Sequence, residues 1–172
     1  MEWTGARYAD TPTVEVRRSI RASPHRVWEL VTDIALMPRT SGELQSVEWR
    51  GGAEGPAVGA SFVGRSKHDA LGEWETVSYV IECAEPRVFA WAVSDLERPA
   101  AVWRFTIEEQ PDGTTELTQW VQLGPGPSGL STAIERMPDK EQKIVFVRLR
   151  EFEHNMGLTL GALGELAEGT AR

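Results

Sequence analysis

Cysteine is almost missing from this sequence: Cys83 stands alone among 172 residues. An internal disulfide is therefore excluded, as is a zinc site built from cysteine pairs, and a reducing cytoplasm suits the chain. Histidine is nearly as scarce, and His25, His68 and His154 are too scattered to suggest a metal centre. No apolar run approaches the roughly 18 residues that a membrane span requires. The first ten residues lack the basic start and apolar stretch of a secretory signal. Positive charge is in short supply too: 18 Lys and Arg stand against 26 Asp and Glu, a formal net charge of −8. Phosphate binding needs a concentrated basic face, so nucleic acid is disfavoured as a partner. Arg148 and Arg150 lie among acidic neighbours and read as a solvated helix surface.

What is present is a change of period along the chain. Val14, Val16 and Ile20 alternate with polar residues and predict a strand over 13–20. Ser23-Pro24 supplies an N-cap and a first helical residue, so a short helix follows to about Thr32. Asp33 caps a second one, which Met37-Pro38 is expected to end. Segments 44–50, 58–68, 73–83, 87–94, 101–109 and 114–123 then read as strands joined by turns such as Pro111-Asp112-Gly113, an antiparallel meander. After a Gly- and Pro-rich break at 124–129, a helical turn or two is expected between Leu130 and Met137. The longest helix then runs over about 139–168, with Val145, Leu149, Phe152, Met156, Leu160 and Leu163 on one stripe. The fold class is α+β: a curved, seven-stranded antiparallel sheet wrapped around a long C-terminal helix, with two short helices after strand one. Residues 1–12 form an arm, 13–168 the domain and 169–172 a tail.

Alternation assigns the face that the sheet turns toward this helix. It carries Phe62, Gly64, Ser66 and His68, then Trp74, Thr76 and Ser78, then Phe89 and Trp91, then Trp103 and Phe105, and finally Gln119. Aromatics alone would fill a core, since they dominate core energetics by area. Small and polar residues among them fill a dry core poorly, and an apolar cavity with a few polar groups is the usual form of a small-ligand site. The cavity reading is favoured, with Phe152 and Met156 contributing the helical wall.

These residues also carry a family resemblance. Ile20-Arg21-Ala22-Ser23-Pro24 with Val27-Trp28 and Asp33, then Gly55 to Phe62, then Glu85-Pro86-Arg87-Val88-Phe89-Ala90-Trp91 and the closing helix resemble the polyketide cyclase/dehydrase and lipid-transport group of the START-like (SRPBCC) superfamily. The resemblance covers about residues 13–168 and looks most like bacterial members. It implies the helix-grip fold of the birch pollen allergen and a hydrophobic tunnel between long helix and sheet. It also implies that an aromatase/cyclase would place an arginine and tyrosines in that tunnel. Here Arg65 and Tyr79 fall on the outward parity, and Tyr8 precedes the first strand.

Three functions follow as expectations. The first is binding of a small, largely apolar ligand of polyketide, lipid or aromatic type by Phe62, Ser66, Trp74, Thr76, Ser78, Phe89, Trp91, Trp103, Phe105, Gln119, Phe152 and Met156, without a cofactor or metal. The second is a cyclase or dehydratase, in which His68 is the general base and Gln119 stabilises a developing oxyanion; the competing reading puts His68 at the strand end, in solvent near Asp69. The third is a protein-interaction module. A monomer or a homodimer suits any of the three. Gly157, Gly161 and Gly164 suggest close sheet contact or a helix that can shift, and the 124–129 segment is positioned to gate the tunnel mouth.

Overall fold

In a computed structural model that describes residues 1–169, seven strands form one antiparallel sheet. Residues 170–172 of the expected tail lie outside the described residues. The first strand, β1 (Thr13–Ile20), is followed by helix α1 (Pro24–Thr32), in which the Ser23 hydroxyl accepts a hydrogen bond from the Arg26 amide at 3.2 Å. Asp33 caps the next turn by accepting from the Ala35 amide at 3.1 Å. That turn (Ile34–Leu36) ends before Met37-Pro38 as expected, and a further short helix, α2 (Met37–Thr40), begins there. Proline is tolerated in a first helical turn, where its missing N–H would have no partner anyway, so Pro38 opens this helix.

Strands β2 (Leu44–Trp49), β3 (Ser61–His68), β4 (Gly72–Ala84), β5 (Val88–Val93), β6 (Ala101–Glu109) and β7 (Thr115–Leu123) complete the sheet. Their spatial order is β1-β7-β6-β5-β4-β3-β2, so the chain meanders from β2 to β7 and closes against β1. The β6–β7 turn shows how the sequence sets the register. Gly113 takes φ +83°, and the Asp112 carboxylate accepts from both the amide and the hydroxyl of Thr114, at 2.9 and 2.7 Å. Those bonds hold its carboxyl below the ordinary range. A register shift between Val80 and Glu82 breaks the strict alternation of β4 and leaves Ile81 exposed.

Helix α3 (Gly129–Arg136) leads through a short 3₁₀ turn into α4 (Glu141–Ala167), whose 27 residues span about 40 Å. Val145, Leu149, Phe152, Met156, Leu160 and Leu163 are all buried along one stripe, as their spacing requires. The first four pack with Tyr8, Val121, Leu123 and Leu130, and the last two with α1, Phe89, Phe105 and Leu117. Of the three helix glycines, Gly164 and Gly161 lie against the side chain of Arg18 on β1, and Gly157 faces open space. No described helix is long and apolar enough to cross a membrane.

Candidate functional site

A cavity of about 500 Å³ lies between the inner sheet face and α4, with walls drawn from both halves of the core. Adjacent strands set Trp91 opposite Trp103 and Phe89 opposite Phe105 in register. The two indoles lie near-parallel, 17° apart in plane, with centroids 6.5 Å apart. Phe62 meets Trp91 edge-on at 5.8 Å, and Trp103 meets Phe152 at 5.1 Å, which joins the aromatic sheet face to the helix. Ser66, Trp74, Thr76, Ser78, Gln119 and Met156 complete this part of the lining. These aromatic contacts add specific geometry to the area they bury.

One polar atom in this wall is unusual. The Gln119 carbonyl oxygen is buried and accepts no hydrogen bond, although the residue borders the cavity. Buried acceptors are almost always paired, and leaving one bare costs about 1–3 kcal/mol. On β7 the buried positions 115, 117, 119, 121 and 123 alternate without interruption, so the strand geometry itself turns this amide inward.

Two expected site residues stand elsewhere. Phe89 is wholly buried and packs edge-on against Trp28 of α1, beyond the cavity wall. The α1 helix covers the sheet at that point and leaves no space beside the ring. His68, at the end of β3, lies in a separate polar depression formed with Lys67, Asp69, Glu151 and His154. Its Nδ1 accepts from the Ala70 amide at 3.0 Å, so Nε2 carries the proton and faces the Glu151 carboxylate at 3.3 Å. It therefore borders that outer depression and not the cavity that Gln119 lines. His25 and His154 are exposed.

The arginine of this site is Arg148, which is buried, not solvated. Its Nη1 donates to Glu43 Oε1 at 2.6 Å and Glu151 Oε2 at 3.0 Å, and its Nη2 donates to Glu43 Oε2 at 2.7 Å. The guanidinium lies 4.4 Å from the Phe152 ring centroid. Burial opposes its charge, yet the hydrogen bonds and charges of Glu43 and Glu151 hold it above the ordinary arginine value. Asn155 donates to Glu43 Oε1 at 3.4 Å, and Glu43 and Asn155 border both the cavity and the outer depression. The signal for Arg148 was in the sequence: it lies three residues after Val145 and four before Phe152, on the apolar stripe itself. Glu43 carries no such local signal. Ligand atoms of Glu43, His68 and Glu151 lie within 4.8 Å of one another, a spacing open to a metal ion, but the Arg148 guanidinium already supplies the cation that both carboxylates bind.

Arg65 is outward and exposed, paired with Glu75 at 2.9 Å. Tyr8 is buried away from the cavity and donates its hydroxyl to the Gly126 carbonyl at 2.6 Å. Burial pushes its phenol up, and a hydrogen bond with Ser128 partly offsets this. The 124–129 segment is pinned further by the amides of Gly124 and Gly126, which donate to Ala100 and Pro99 at 2.8 Å each.

The comparisons with known proteins agree with this fold. The fold matches a polyketide-cyclase-like protein of Corynebacterium glutamicum at 29% identity, covering 91% of each chain with a TM-score of 0.65. It also matches the ZhuI aromatase/cyclase of a Streptomyces species at 17% identity and a TM-score of 0.63, covering 94% of this chain and 96% of that one. The di-domain aromatase/cyclase BexL matches at 20% identity and a TM-score of 0.66, covering 94% of this chain, which spans 50% of that protein's length. At these last two identities the likeness is one of fold alone. No curated protein matches the sequence. The family described as polyketide cyclase/dehydrase and lipid transport matches residues 11–150, and the chain belongs to that family.

Proposed function

We propose that this protein binds a small, largely apolar molecule bearing a hydroxyl group in the cavity between its sheet and α4. The observation that carries the reading is the unpaired, buried carbonyl oxygen of Gln119 in a cavity wall rich in aromatic side chains. An acceptor without a partner calls for a donor, and a ligand O–H supplies one. Phe62, Trp74, Trp91, Trp103, Phe105, Phe152 and Met156 would bury the ligand's apolar surface, at about 25 cal/mol per Å² removed from water. Ser66, Thr76 and Ser78 would orient its oxygens. Near-parallel Trp91 and Trp103 suit a planar aromatic or polyketide-type skeleton, in keeping with the family.

A cyclase or dehydratase would act on such a ligand in this same space. The ionisable side chains that border the cavity among the described residues are Glu43, Glu75 and Arg148. Of these, Glu43 is the inner carboxylate, and both of its oxygens are already engaged by Arg148 and so are not free to meet a substrate proton. Binding is therefore the better-supported reading. Native mass spectrometry of the purified protein, followed by denaturing extraction, tests it. A copurifying hydroxylated apolar molecule is the expected result. An empty protein whose tryptophan fluorescence ignores a panel of apolar alcohols and phenols would sink the reading.

A further inference from the structure

The same cavity carries a statement about charge, which rests on the ligand-binding reading. A pocket of this size with an arginine in its wall would ordinarily be assigned a carboxylate ligand, since guanidinium and carboxylate fit each other bidentately. Here that pairing is already made within the protein. Glu43 takes Arg148 through both of its oxygens, at 2.6 and 2.7 Å, and Glu151 takes a further N–H at 3.0 Å. With the His68 proton on Nε2 and its Nδ1 accepting, this cluster sums to one negative charge, two carboxylates against one guanidinium. Glu75, the remaining ionisable residue on the cavity border, turns its half-exposed carboxylate to the outer face, where it pairs with Arg65 at 2.9 Å, and so offers no cation inside either. A ligand carboxylate therefore meets no free cation inside. To pair with Arg148 it would have to displace Glu43 and leave that carboxylate, with a side chain only 17% exposed, without its partner. An uncharged ligand pays no such penalty, and the bare acceptor of Gln119 favours a hydroxyl donor over an anion, which brings only acceptors.

We propose that the cavity selects uncharged, hydroxyl-bearing molecules and rejects carboxylic acids, fatty acids included, with Glu43 enforcing the choice by occupying Arg148. Glu43 is on this account a specificity-determining residue. The selection differs from simple exclusion of polar ligands, because it depends on one carboxylate and is reversible by removing it.

A matched pair of probes tests this: 2-naphthol and 2-naphthoate, titrated calorimetrically into the full chain near neutral pH. The wild-type protein is expected to bind the naphthol at least about tenfold more tightly than the naphthoate, the scale of one charge-assisted hydrogen bond. In Glu43→Gln, which frees guanidinium N–H groups and removes one negative charge, the ratio is expected to shift toward the naphthoate by about tenfold or more. Adding Arg148→Met should abolish that shift. Equal wild-type affinities, or tighter binding of the naphthoate, would overturn the proposal, as would an unchanged ratio in a folded Glu43→Gln protein. Should that variant not fold, the wild-type ratio alone decides. Failure of wild-type protein to bind either probe or any other uncharged apolar alcohol would instead overturn the underlying reading of the cavity as a ligand site, and this proposal with it.

Discussion

Glu43 and Arg148 are 105 residues apart in sequence, yet their side chains meet in two parallel hydrogen bonds that tie the start of β2 to the first half of α4. Taking the charges out of water is costly, and the pair offsets that cost only while both members are present. Arg148→Met is expected to destabilise the protein by about 2–4 kcal/mol, because it leaves Glu43 without its cation. Glu43→Gln should cost less, since Glu151 still pairs with the guanidinium. The double variant Glu43→Gln/Arg148→Met should lose much less than the sum of the two single losses. Urea unfolding of the four proteins measures the coupling. Strict additivity would mean that the pair contributes nothing as a pair.

Gln119 makes an opposite prediction for stability and for binding. Replacing it by leucine removes a buried acceptor that has no partner, so Gln119→Leu should be neutral or stabilising by up to about 1–2 kcal/mol. The same change should weaken binding of 2-naphthol by about tenfold, the scale of one lost hydrogen bond. Thermal melting and calorimetry on one preparation give both numbers. A stability loss of the size seen for core truncations would show that the amide is part of the packed structure.

Much of this was legible in the sequence for a definite reason. Period-2 and period-3.6 patterns depend on nearest neighbours, so the seven strands, the stripe of α4 and the inward-facing aromatics could be read directly. Local turn chemistry was equally readable at Ser23-Pro24 and Pro111-Asp112-Gly113. The misses concern relations between distant elements. Phe89 has the right parity, but α1 covers it. His68 has the right parity too, but it stands one strand-end too far along. Arg148 looked solvated beside its charged sequence neighbours, because its partner Glu43 stands 105 residues earlier, just before β2. Met37-Pro38 ends the turn capped by Asp33, as the preceding-residue rule expects, but it also opens α2, which that rule alone does not foresee.

Two glycines are expected to respond to alanine with opposite signs. A Cβ on Gly126 would overlap the Arg98 carbonyl, and it would lie 2.9 Å from the Pro99 carbonyl carbon, so backbone would have to move. Gly126→Ala is expected to cost about 2–3 kcal/mol and to loosen the 124–129 segment that Tyr8 pins. Gly157, in the middle of α4, meets nothing within 4 Å, so Gly157→Ala should gain about 0.5–1 kcal/mol from helix propensity alone. Chemical unfolding of the two variants checks both signs. A destabilised Gly157→Ala would indicate that α4 needs flexibility at that point.

The end of α4 makes stability depend on acid. Glu168 accepts a hydrogen bond from the Arg21 backbone amide at 2.9 Å and lies 3.5 Å from its guanidinium, and these contacts hold its carboxyl below the ordinary value. A carboxylate whose folded pKa lies below its unfolded pKa contributes stability while the pH is above the unfolded value. That contribution fades as pH falls through the folded value, once the protonated acid no longer favours the folded contacts. Asp112 in the β6–β7 turn behaves in the same sense, through its bonds to Thr114. The melting temperature should therefore drop as pH falls through and below the ordinary carboxylate range. In Glu168→Gln the wild-type protein should lose part of its advantage over that interval, and the two melting curves should converge at its acid end. Parallel pH profiles for the two proteins would show that the contact between the end of α4 and Arg21 adds nothing to folding.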